Sequence, residues 1–190
     1  MLHCAMKFSW KYVVLGVALL LLLWVWMGYN GLVTRMENVG TSWAQVETQY
    51  QRRFDLVPNL VSTVKGAAKF EQETFQAVTE ARTKWQIAGN RTDQISAALT
   101  FDSALSRLLV TVEAYPQLQA TQSYRDLMTQ LEGTENRIAT ARRDYNDAVR
   151  SYNLRVKRFP GMILAQMFGF EEETFFESAE GSDEAPTVEF

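Results

Sequence analysis

A chain of 190 residues holds one modest domain, or a domain and an anchor, and its 19 Lys+Arg stand nearly balanced against 22 Asp+Glu. The single cysteine, Cys4, excludes an internal disulfide framework and a cysteine-based zinc cluster. The single histidine, His3, lies in the N-terminal tail, so the body has no candidate for a His-ligated metal or for Ser-His or Cys-His catalysis.

After a short tail, residues 1–11, the run VVLGVALLLLLWVWM over 13–27 carries no charge. With its flanks it reaches about 20 residues, the length a helix needs to cross ~30 Å of hydrocarbon. Residues 12–29 are therefore expected to be a transmembrane helix, with the lipid bilayer as the first partner. Trp10 and Tyr12 before the run, and Trp24, Trp26 and Tyr29 at its far end, suit the two aromatic interface belts. A cleaved secretory signal would need a small-x-small site, and the sequence reads WVWMGYNGL instead, which favours an uncleaved signal anchor. Lys7 and Lys11 precede the run and only Arg35 follows closely. Positive charge on the inner side then predicts a single-pass protein of the bacterial inner membrane with its bundle outside the cytoplasm.

From residue 32 the apolar positions step by three and four: Leu32, Met36, Val39, Trp43, Val46, Tyr50, Phe54, Val57. That is a helical seam, and no window alternates as a strand would. Pro58 disfavours helix at Val57 and suits a first helical position, so a turn there is expected to separate helices over 30–56 and 58–88; the other reading is a kink in one long helix. Gly89–Asn90 stops the second helix, and Thr92 can cap a third over 93–114. Tyr115–Pro116 ends that one, and the fourth and longest runs over 120–158, ending at Phe159–Pro160–Gly161. The expected fold class is all-α: an N-terminal transmembrane helix followed by an antiparallel four-helix bundle over 30–176. Residues 171–190 carry eight acids and no base, and 177–190 read as an acidic disordered tail.

Six stretches carry a longer pattern: YNGLVTRMENVGTSWAQVE (29–47), QRRFDLVPNLVSTVKGAAKFE (51–71) with TEAR following (79–82), YPQLQA, LEGTENRIATARRDYNDAVRSYN (131–153), RFPGMILAQMFGF (158–170) and EEETFFE. In content and order they resemble the LemA family from Tyr29 to about Glu177. The resemblance implies an N-terminal membrane helix and an antiparallel helical bundle, brings no established activity or catalytic residue, and implies the opposite orientation, with the bundle in the cytoplasm.

Arg52, Arg53, Asp55 and Asn59 cluster beside Pro58, where arginine and aspartate can tie helices through charge-assisted hydrogen bonds or form a recognition corner for a partner. Tyr145–Asn146 and Tyr152–Asn153 repeat seven residues apart, as near-core tyrosines with register-setting asparagines do. Arg143, Arg150 and Lys157 form a basic stripe that is either a solvated face or a seat for an anionic surface, the chain's own acidic tail included. Met162, Ile163, Met167 and Phe168 belong to an apolar segment that either plugs the bundle end or rests on the membrane.

The leading expectation is a non-enzymatic, membrane-anchored scaffold or adaptor, with an unidentified membrane or envelope protein as partner and self-association into a homo-oligomer as a further possibility. A protein binding anionic lipid through 162–170 and the basic stripe is the alternative. No cofactor or metal is implied. Nucleic acid is not expected, because the body's excess over 31–170 is only 17 basic residues against 14 acidic.

Overall fold

The structure is a computed structural model that describes residues 10–67 and 72–176, with side chains over 10–64 and 75–176. The tail before Trp10, with His3, Cys4 and Lys7, and the acidic segment 177–190 lie outside the described residues. Among those described there are six helices and no strand: α1 Trp10–Ala67, α2 Gln72–Ile87, α3 Arg91–Glu113, α4 Pro116–Gln119, α5 Gln122–Lys157 and α6 Gly161–Phe168. The all-α expectation holds.

The expected turn at Pro58 is absent. α1 is one helix of 58 residues with Pro58 inside it. Proline there removes one backbone donor, but its ring points to solvent, while Phe54, Val57, Leu60 and Val64 continue the buried seam past it. Burying four consecutive seam residues outweighs one missing hydrogen bond, since each large apolar side chain contributes about 1.5–3 kcal/mol. The second expected helix, 58–88, is therefore divided between the end of α1 and α2.

α3 begins one residue before the expected Thr92 cap. Asn90 caps it instead, accepting a hydrogen bond from the Asp93 backbone N–H at 2.8 Å. Met36, placed on the seam by its spacing, is exposed, as is Phe159 at the end of the longest expected helix.

The chain forms two compact units. The first contains the residues up to Gly40 and Ala148–Glu173. Here α1 carries an apolar stretch of mean hydropathy 2.1 whose side chains are almost all exposed, which makes it a candidate membrane span. α6 packs on α1 where Gly28 leaves room: a Cβ at that position would come within 2.2 Å of the Leu164 side chain. The Tyr29 ring meets Phe168 edge-on at 4.9 Å and Phe170 at 5.8 Å. Gly169, in left-handed conformation at φ 73°, closes α6 and turns the chain into the extended segment that follows.

The second unit contains Thr41–Asp147 and, among the described residues that follow, Thr174–Phe176. Its core is a bundle of the later part of α1 with α2, α3 and the earlier part of α5. Trp43 meets Tyr145 and Tyr50 meets Arg142, so α1 and α5 run antiparallel. α3 is also long and apolar enough to cross a membrane by composition alone, but Ile95, Ala98, Phe101, Leu105, Leu108 and Val112 face the bundle interior.

Candidate functional site

Three features of the second unit bear on function: a charged brace inside the bundle, a polar cleft outside it, and the seat that holds the segment after α6.

The brace begins at Asp102, which stands in the apolar seam of α3 between Phe101 and Leu105. Arg53 of α1 donates to its Oδ1 at 2.9 Å and to Glu135 Oε2 of α5 at 2.7 Å. Tyr50 donates to Asp102 Oδ2 at 2.9 Å, and Arg142 of α5 reaches both that oxygen and the Tyr50 hydroxyl. Three helices are thus tied by one connected set of charge-assisted hydrogen bonds. Burial pushes the Asp102 carboxyl up to about 7 against the lowering pull of Arg53, with Glu135 pushing it up further. Burial also lowers Arg142, to about 10. Asp102, Glu135 and Arg142 line a cleft of about 720 Å³ together with Arg107 and Val110. Both of its carboxylates are bound by Arg53, so neither is a free base.

The second cleft, about 790 Å³, lies along α1 and is lined by Glu47, Thr48, Gln49, Gln51, Arg52 and Asp55, with Trp85 and Gln86 of α2 and Gln94 of α3. Its wall is ordered from within. Trp43 Nε1 donates to Gln94 Oε1 at 3.2 Å, Gln94 Nε2 donates to Glu47 at 3.1 Å, and Gln51 Nε2 donates to Asp55 at 2.9 Å.

The corner Arg52, Arg53, Asp55, Asn59 is therefore not one site. Arg53 is only 7% exposed and belongs to the brace. Arg52 and Asp55 are exposed and share the cleft wall. Asn59 is exposed, and its backbone carbonyl accepts from Ser62 and Thr63.

The segment after α6 is held by its backbone. In the second unit the Asn146 amide donates to the Phe176 carbonyl at 2.9 Å and accepts from its N–H at 2.8 Å. Tyr145 donates to the Thr174 carbonyl at 2.8 Å. The Phe176 ring is buried, stacks on Tyr50 at 6.3 Å, and lies under the Arg142 guanidinium at 4.4 Å. In the first unit Asn153 makes the same reciprocal pair with Glu173, at 2.8 and 2.9 Å. Tyr145 and the two repeated asparagines thus serve as main-chain clamps, while Tyr152 is a core residue.

Of the basic stripe, Arg143, Arg150 and Lys157 are all exposed, and Lys157 pairs with Glu172 of the acidic segment at 2.7 Å. In α6, Leu164 and Ala165 are buried while Met162, Ile163, Met167 and Phe168 are exposed. Among the described residues no group of three or more His, Cys, Asp or Glu is placed to hold a metal ion.

Tyr50, Asp102 and Arg142 were missed as a set when the sequence was read for motifs. A signal for them existed: Arg53, Asp102 and Arg142 each fall in phase with the apolar seam of their helix, where a charge must find a partner. Phe176 offered none, because the pair Phe175–Phe176 in an acidic segment carries no periodicity that says which ring is buried.

A helical body, among the described residues, braced by part-buried ion pairs and led by a long apolar helix defines a helical-bundle protein with a candidate membrane span. The chain belongs to the LemA family, which it matches over residues 42–190. It is 31% identical to Magnetosome protein MamQ 2 of Paramagnetospirillum magneticum, over 95% of this chain and 74% of the relative. It is 27% identical to Magnetosome protein MamQ of Magnetospirillum gryphiswaldense, over 83% and 67%. Protein LemA of Metamycoplasma hominis is 24% identical, over 80% and 69%.

Proposed function

We propose that this chain is a single-pass protein of the bacterial cell membrane whose helical body is a non-enzymatic scaffold for another membrane or envelope protein. The observation that carries the reading is the polar cleft of the second unit. Arg52 and Asp55 present opposite charges side by side, and Gln51 and Gln86 add exposed amides above a floor formed by the buried Trp85. That mixture of both signs and amide donors matches a folded polypeptide surface better than a small ligand. The candidate span supports the anchoring, because confinement to a membrane raises the effective concentration of a partner held in the same plane.

The test places a photo-crosslinking residue at Thr48, in the cleft wall, in the full-length chain in its native membrane. A control crosslinker goes at Val110, which is exposed elsewhere in the second unit. The scaffold reading expects a discrete heavier adduct from Thr48 and not from Val110, lost on Arg52→Glu/Asp55→Lys. No adduct at Thr48 rejects the reading. An adduct with the mass of two copies of this chain replaces it with self-association.

A further inference from the structure

α6 is eight residues of almost wholly apolar sequence, GMILAQMF, yet it buries only Gly161, Leu164 and Ala165. Met162, Ile163 and Met167 share a single exposed arc, and Met167 is 61% exposed. Gln166 falls inside that arc and is its one polar side chain. Phe168 is turned toward Tyr29 and remains 45% exposed. In water such a face is unfavourable, and the first unit shows what adjoins it. α6 is seated on α1 at Gly28, directly after Trp26 and Met27, which are themselves exposed on the apolar stretch. The exposed face of α6 therefore continues the exposed apolar surface of α1. Before α6 stand Lys157 and Arg158, both exposed, and after it Glu171 and Glu172, so charged side chains mark both ends of the helix.

We propose that α6 lies in the headgroup layer of the bilayer that α1 crosses, with Met162, Ile163 and Met167 turned into the lipid and Phe168 and Tyr29 at the boundary. The inference rests on the reading of α1 as a membrane span and adds a second, lateral contact with the same membrane. Lipid is the occupant the geometry favours. A second protein copy would need about 800 Å² per partner for a stable interface, and an eight-residue helix is only about 12 Å long. An interfacial helix needs no such area. Its apolar arc sits at the headgroup–acyl boundary, where a single glutamine stays hydrated. Aromatic side chains such as Tyr29 and Phe168 prefer that depth.

Depth quenching on the full-length chain tests it. Cys4→Ser removes the native thiol, and single cysteines are then placed at Met167, Ile163, Leu20 or Ile87 and labelled with an environment-sensitive fluorophore. The protein is reconstituted at one chain per nanodisc, in phosphatidylcholine and phosphatidylglycerol bearing a nitroxide on an upper or a lower acyl carbon. The proposal expects the labels at 167 and 163 to lose several-fold more emission to the upper nitroxide than the label at Ile87, and less to the lower one. The label at Leu20 should be quenched most by the lower nitroxide. If Leu20 is quenched and neither 163 nor 167 is, α6 is off the membrane and the proposal fails while the span stands. If Leu20 is unquenched as well, the span reading fails and takes the proposal with it. Labels at 163 and 167 that are shielded only when several chains share a disc overturn the proposal in favour of a contact between copies.

Discussion

Asp102 is the residue on which the bundle's charge balance turns. A carboxyl held at about 7 in the folded chain, against 3.8 for the ordinary group, takes up a proton on folding between those values. Its contribution to stability is complete below pH ~4 and is lost as pH rises through 7. The urea midpoint of the wild type should therefore fall relative to Asp102→Asn between pH 4 and 7.5; parallel profiles would show that the group is ionised throughout. Arg53 tests the other side of the brace. Arg53→Met removes one of the two cations on Asp102, Arg142 remaining, together with the partner of exposed Glu135, and a loss of about 1.5–3 kcal/mol is expected in denaturant titration. The clamps rest on a property that only an amide has, because Asn146 both donates to and accepts from the Phe176 backbone. Asn146→Ala strands both groups and should lower stability by about 1–3 kcal/mol. At this scale the sequence was only partly legible. Tyr145, Tyr152 and their asparagines stood out by their repeat, but the backbone of Glu173 and Phe176 as the partner of the asparagines could not be read, since main-chain recognition leaves no side-chain pattern.

Helices were legible as elements because their signal is cumulative. Many apolar residues in phase outvote any single exception, which is why the α3 and α5 expectations agree closely with the observed ranges. Boundaries were less so, because each depends on one residue. Pro58 is the clearest case: local geometry argued for a turn, and the buried seam through Leu60 and Val64 overrode it. Pro58→Ala should relieve the cost of proline in a helix interior, about 3 kcal/mol for the missing hydrogen bond and the ring clash together, less roughly 1 kcal/mol for the entropy the ring removes from the unfolded chain. A net gain of about 2 kcal/mol is expected, and a loss would mean that the packing of Phe54 and Leu60 needs a local bend. Gly161 marks a boundary that tolerates no side chain. A Cβ there would lie 2.3 Å from the Arg155 carbonyl oxygen, so Gly161→Ala should displace α6 from α1 and expose Leu164, seen as faster proteolysis after Arg158.

At the scale of the whole chain, orientation separates the charge count from the usual family description. Membrane-impermeant maleimide on spheroplasts decides between them. An extracytoplasmic bundle leaves Cys4 unlabelled until the membrane is opened, while trypsin cuts at exposed Arg143 and Arg150 from outside. The reverse pattern would place the partners in the cytosol. The seat of Phe176 has a consequence for how such a chain is made. Trp43 and Tyr50 are among the first bundle residues to be synthesised, whereas Thr174, which meets Thr92 across 82 positions, belongs to a segment that follows every helix of the bundle. Long-range closure of this kind comes late. Until it occurs, the aromatic wall of Trp43 and Tyr50 lacks the ring that covers it, and nascent chains would need shielding from one another for as long as translation takes.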